Sequence, residues 1–118
     1  MRERVLIVED NKALAKLIAK KMNAHVDMDI VVTHSYAEAI EAIEENDDFF
    51  IALLDINLPD APDGEVVDYV LSKNILAIIL TGSVDENLKK LFIQKNIVDY
   101  VVKDNLDAIN YIFETINR

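Results

Sequence analysis

The chain has 118 residues, the size of one ordinary domain, and its 52% apolar content is too high for a disordered acidic tail. A formal net charge of −10 disfavours direct binding to nucleic acid, and the absence of cysteine excludes disulfides, thiolate metal sites and cysteine nucleophiles. The start of the chain is too acidic for a signal peptide, and the longest apolar runs, Phe49 to Leu54 and Ile75 to Leu80, are six residues each, far short of a membrane span.

Val5 to Val8 is a β-branched apolar run bounded by charges and reads as a buried strand. From Lys12 to Asn23, Leu14, Leu17, Ile18 and Met22 recur at helical spacing. Met28 to Thr33 is a second strand. Ser35-Tyr-Ala-Glu38 is a capping box, in which the Ser hydroxyl and the Glu carboxylate each satisfy a backbone N–H; Ala39, Ile40 and Ile43 supply the apolar face of the helix that follows. Phe49 to Leu54 is a third strand, and Asp60 to Gly64 is a loop of turn-forming residues. A short third helix follows, with Val66, Val67, Val70 and Leu71 toward the core. Ile75 to Leu80 is a fourth strand. Ser83-Val-Asp-Glu86 opens a fourth helix that carries Leu88, Leu91 and Phe92. Val98 to Val102 is a fifth strand, and Leu106 to Asn117 is a fifth helix with Ile109, Ile112, Phe113 and Ile116 on one face.

Strict alternation of strand and helix predicts parallel βαβ units, and strands apolar along their length predict a sheet covered on both faces. The expected fold is α/β, a flavodoxin-like doubly wound five-stranded parallel sheet of order 2-1-3-4-5 with five helices, one domain over residues 1–118. Such sheets bind ligands beyond the carboxyl ends of their strands. Those ends carry Glu9 and Asp10, then Asp55, then Thr81, then Lys103. Strands one and three are neighbours in this order, so the three carboxylates meet. They stay ionised together only around a cation, and oxygen donors with open positions suit Mg²⁺. A carboxylate nucleophile beside such a cation would yield an aspartyl phosphate, with the Thr81 hydroxyl and the Lys103 ammonium donating to the added group. Each of these residues alone is more simply an exposed strand end; the set together points to phosphoryl chemistry.

Val5-Leu-Ile-Val-Glu-Asp10, Leu53-Leu-Asp-Ile-Asn-Leu-Pro59, Leu80-Thr-Gly82 and Asp99-Tyr-Val-Val-Lys103 together resemble the response regulator receiver family over essentially the whole chain. The resemblance implies that Asp55 is the phosphoacceptor and that Asp10 ligates one Mg²⁺ directly. It implies that Glu9 acts closely or through water, and that the backbone carbonyl of Asn57 is a further ligand. Thr81 is then the hydroxyl that moves toward the phosphoryl group, Lys103 its ion-pair partner and Tyr100 the switch aromatic. It further implies a cytoplasmic phosphoprotein that is not itself an enzyme. Its phosphodonor would be a sensor histidine kinase or a histidine phosphotransfer protein. The face of helix four, strand five and helix five would switch and could mediate a homodimer, and an output domain could follow. Gly82 fits a need for a small residue beside the phosphoryl group.

The sequence also departs from the family. Asp104 stands where a cis-proline is usual, and a cis bond without proline costs roughly 3 kcal/mol. The loop after Pro59 is one residue longer than the common pattern. A degenerate receiver acting only as an interaction module is the alternative that the missing proline favours and the intact set opposes. A small aspartyl-phosphate phosphatase would place a second Asp where Asn57 stands, and a flavin-binding protein would need a glycine- or hydroxyl-rich first turn.

Overall fold

A computed structural model describes residues 4–25, 28–46, 48–82, 86–95, 97–102 and 114. The elements run β1 (Arg4–Val8), α1 (Lys12–His25), β2 (Asp29–Thr33), α2 (Tyr36–Glu45), β3 (Phe49–Asp55), α3 (Glu65–Ser72), β4 (Leu76–Thr81), α4 (Glu86–Ile93) and β5 (Asp99–Val102). All five strands are parallel, in the order β2-β1-β3-β4-β5. The expected fold class is therefore observed. The expected fifth helix, the Ser83 capping box and the Lys103–Asp104 peptide lie outside the described residues, apart from Glu114, which is helical.

Side chains alternate across the sheet, which splits the core in two. Val5, Ile7, Ile51, Leu53, Ile78 and Leu80 pack with Ile18 and Met22 of α1. Leu6, Val8, Ala52, Leu54, Ala77 and Ile79 pack with residues of α2 and α3 and with Phe92 of α4. Burial of both faces explains why these strands read as unbroken apolar runs.

Several side chains differ from expectation, for reasons of helix geometry. Leu17 is 40% exposed, because α1 buries the narrower stripe Ala15, Ile18 and Met22, and Leu17 lies some 200° around the helix from Ala15. Leu91 is 49% exposed beside fully buried Phe92, one residue and about 100° away. Ile40 is half-buried rather than a core residue, and Leu76 at the start of β4 is exposed. The Ser35 box is half formed. The Ser35 hydroxyl oxygen accepts from the Glu38 N–H at 3.1 Å, but the Glu38 carboxylate accepts from the Ser35 hydroxyl at 3.2 Å instead of reaching back to a backbone N–H.

The short third helix is eight residues long, as the brief stretch after Gly64 requires. Gly64 caps it with φ +75°, a left-handed conformation that costs any L side chain. The Phe92 ring lies against it: a Cβ placed on Gly64 would stand 2.5 Å from Phe92 Cζ.

Candidate functional site

Val8 pairs with Leu54 across the β1–β3 ladder, so Glu9 stands level with Asp55 and Asp10 one residue beyond. One carboxylate oxygen from each of Glu9, Asp10 and Asp55 lies within 4.8 Å of the others. Asp55 is the last residue of β3 rather than the first of the loop, and it is buried along with Glu9, while Asp10 is exposed. Burying carboxylates together is costly unless positive charge or hydrogen-bond donors compensate them.

Part of that compensation comes from the backbone. Asp55 Oδ1 accepts from the Asn57 N–H at 2.8 Å, and Glu9 Oε2 accepts from the Asn11 N–H at 3.1 Å. Each bond fixes the position of one carboxylate oxygen. The second Asn11 contact, Oδ1 accepting from the Leu14 N–H at 3.1 Å, caps the start of α1. A donor set made wholly of oxygen, at the rim of an open sheet, fits a hard divalent cation such as Mg²⁺.

Thr81 is the last residue of β4 and is buried. Asp55 pairs with Leu80, so Thr81 stands one residue beyond Asp55 on the adjacent strand. Thr81 pairs in turn with Val102 of β5; Lys103, next in the chain, lies outside the described residues. Tyr100 pairs with Ile79, its ring is half-buried against the α2–α3 side of the core, and its buried hydroxyl has no hydrogen-bond partner among the described residues. The strand ends therefore bring together Glu9, Asp10, Asp55 and Thr81. Asn57 is exposed and joined to Asp55 through its N–H.

Two residues around this site were not singled out by sequence reasoning. His34, just after β2, contacts the backbone carbonyl of Glu9 through Nδ1 at 3.0 Å; a carbonyl can only accept, so Nδ1 carries the proton. Asp60 accepts from the Tyr36 and Ala37 N–H groups at 2.9 and 3.0 Å, capping α2 from another loop. Those two hydrogen bonds, Tyr36 first, hold its carboxyl below the ordinary aspartate range. Asp60 sits within a run of turn formers, where an acid is unremarkable, so no local signal marks its partners.

The model of the response regulator receiver domain matches residues 5–114. No curated protein matches the chain. Similar solved structures include a putative two-component system response regulator/GGDEF domain protein, 26% identical over 99% of this chain and 47% of that one, with a TM-score of 0.84. The chain thus spans about half the length of that relative. The signal receiver domain of a putative Luxo repressor protein from Vibrio parahaemolyticus is 28% identical over 99% and 93% of the two chains, with a TM-score of 0.78. A LuxR-family DNA-binding response regulator structure from Staphylococcus aureus is 27% identical over 98% and 96%, with a TM-score of 0.84. With strand order, acidic pocket and family match in agreement, the chain belongs to the response regulator receiver domain family of two-component systems.

Proposed function

We propose that the chain accepts a phosphoryl group on Asp55 from a histidine kinase or a histidine phosphotransfer protein. The observation that carries this reading is the convergence of Glu9, Asp10 and Asp55 within 4.8 Å at the switch point of the sheet. Glu9, Asp10, Asp55 and the Asn57 carbonyl would hold one Mg²⁺, which when bound neutralises the carboxylates and the charge on a phosphoryl oxygen. An Asp55 oxygen forms the new O–P bond while the P–N bond of the donor phosphohistidine breaks. The leaving imidazole keeps the electron pair and is protonated from solvent. The Thr81 hydroxyl, one residue beyond Asp55 on β4, donates to the phosphoryl group, and the Lys103 ammonium pairs with it.

Movement of Thr81 toward that group would bias the packing of Tyr100, two residues away across the β4–β5 register, as a two-state shift. The outward consequence falls on the surface of α4 and β5, where Leu91, Ile93 and Val98 are exposed, and which suits self-association or contact with an output domain. On this reading the chain works in the cytoplasm beside its kinase, and it promotes only its own phosphorylation and dephosphorylation. Among the described residues no helix is long and apolar enough to cross a membrane.

The test is intact mass after incubation with a small-molecule phosphodonor and Mg²⁺, beside Asp55→Asn. One phosphoryl adduct that needs both Mg²⁺ and Asp55 is expected. Saturable Mg²⁺ binding with no adduct would favour an interaction module instead, and absence of Mg²⁺ binding would remove the basis of the proposal.

A further inference from the structure

We propose that Asp60 is a positioning residue for the cation pocket: with His34 it ties the two loops that line the pocket to a common bracket at the start of α2. This rests on the reading of the pocket as a Mg²⁺ site.

The bracket is the short segment between β2 and α2. At one end it grips Glu9. The Glu9 N–H donates to the Thr33 carbonyl at 3.1 Å, and the Glu9 carbonyl accepts from His34 Nδ1 at 3.0 Å. Both backbone groups of Glu9 are thereby fixed by residues that are adjacent in sequence. The bracket itself is anchored to the sheet, because the buried Thr33 hydroxyl donates to the Ile7 carbonyl at 2.9 Å. At its other end the segment grips the opposite loop: the N–H groups of Tyr36 and Ala37 donate to the two oxygens of Asp60. A carboxylate at a helix N-terminus meets both unsatisfied N–H groups and the positive end of the helix dipole, so this grip is charge-assisted.

Asp60 lies five residues after Asp55, in the loop that also carries Asn57. Asp60 sits inside a turn that begins one residue after Asn57, closed by the Ala61 N–H donating to the Leu58 carbonyl at 3.0 Å, and a second bond from the Gly64 N–H to the Ala61 carbonyl at 3.3 Å holds the chain just beyond it. A short, internally bonded loop transmits the position of Asp60 to Asn57 with little slack. The spacing between the Glu9–Asp10 half of the pocket and the Asp55–Asn57 half is thus set twice, directly by the β1–β3 ladder and again by the α2 bracket. Cation affinity depends on the placement of ligands through their outer hydrogen bonds, and loss of a partner bonded directly to a ligand typically weakens binding roughly 10- to 100-fold. Asp60 acts one contact further out, on the loop and the bracket that carry the ligands, so the low end of that range applies.

The experiment compares Mg²⁺ affinity, by calorimetric titration, with urea stability measured without divalent ions, for wild type, Asp60→Ala, Asp60→Asn and Ser35→Ala. Ser35→Ala removes α2's own side-chain cap, a hydroxyl on the Glu38 N–H, and leaves the Asp60 contacts in place. It serves as the control for a helix that is merely frayed. The expected result is Mg²⁺ binding weakened roughly tenfold in Asp60→Ala, partial recovery in Asp60→Asn, which keeps one acceptor oxygen, and unchanged Mg²⁺ affinity in Ser35→Ala despite its lower stability. Equal Mg²⁺ affinity in wild type and Asp60→Ala would overturn the proposal, as would equal weakening in Asp60→Ala and Ser35→Ala. No saturable Mg²⁺ binding in wild type would instead refute the reading of the pocket itself.

Discussion

Gly64→Ala probes the join between the loop that follows β3 and α4. Two costs act there. The residue has φ +75°, and a left-handed conformation costs a non-glycine residue roughly 1–2 kcal/mol. The new Cβ would also stand 2.5 Å from Phe92 Cζ, about 1 Å inside ordinary contact, and Phe92 is buried. Forcing a packed ring to move costs roughly 1–3 kcal/mol. The lower chain entropy of unfolded Ala returns about 0.4–1 kcal/mol. The net loss is about 1–4.5 kcal/mol, a substantial part of the 5–15 kcal/mol typical of a domain. Urea denaturation followed by far-ultraviolet circular dichroism measures it. Phe92→Leu in the same background removes the ring tip that clashes, so the double variant should recover about 1–2 kcal/mol relative to additivity. A Gly64→Ala protein within about 0.5 kcal/mol of wild type would refute the clash and the strain together; strict additivity with Phe92→Leu would refute the clash alone.

Asp10→Asn removes one charge from three crowded carboxylates, so it should raise the melting temperature in chelator and lower it, relative to wild type, in millimolar Mg²⁺; no inversion between the two conditions would contradict the cation pocket. The carboxyl of Asp60 titrates lower in the folded chain than in the unfolded one, so its contribution is complete above the unfolded value near about pH 4 and is lost as pH falls through the folded value. The stability gap between wild type and Asp60→Asn should therefore close on acidification below about pH 4, and a gap independent of pH would disprove the capping bonds. A Cβ on Gly82 would meet nothing within 4 Å, so Gly82→Ala should leave urea stability within about 0.5 kcal/mol of wild type while slowing phosphorylation by a small donor, if that space receives the phosphoryl group. A stability loss beyond that range would show that the glycine is required by the fold.

What the sequence disclosed was set by the range of the interactions involved. Val5 to Val8 and Ile75 to Leu80 announce largely buried strands because alternation fails when both faces are covered, a purely local signal, although Leu76 at the start of β4 stays exposed. Once the strands alternate with helices, topology rules carry Glu9 and Asp10 beside Asp55 without any knowledge of contacts. The roles of His34 and Asp60 were not legible for the opposite reason. Each depends on a hydrogen bond to a backbone group 25 or 24 residues away, and backbone groups leave no residue-type signature. Leu17 and Leu91 mark a third limit. An apolar residue at helical spacing qualifies for the core, yet which residues of a stripe are covered depends on the width of the surface packed against it.

The place of β1 in the sheet has a consequence for synthesis. Its two neighbours are residues 29–33 and 49–55, both made after it. At roughly 5–20 residues per second, Val5 to Val8 waits several seconds before both of its neighbours are complete, with at least one edge bare until β3 is made. Four apolar, β-prone residues in that condition are a template for association with other nascent chains. Arg4 on one side and Glu9 with Asp10 on the other bound the run with charge, the usual guard against such pairing. The acids that later gather in the pocket thus serve the unfinished chain first, as the repulsive margin that keeps this central strand single until its partners arrive.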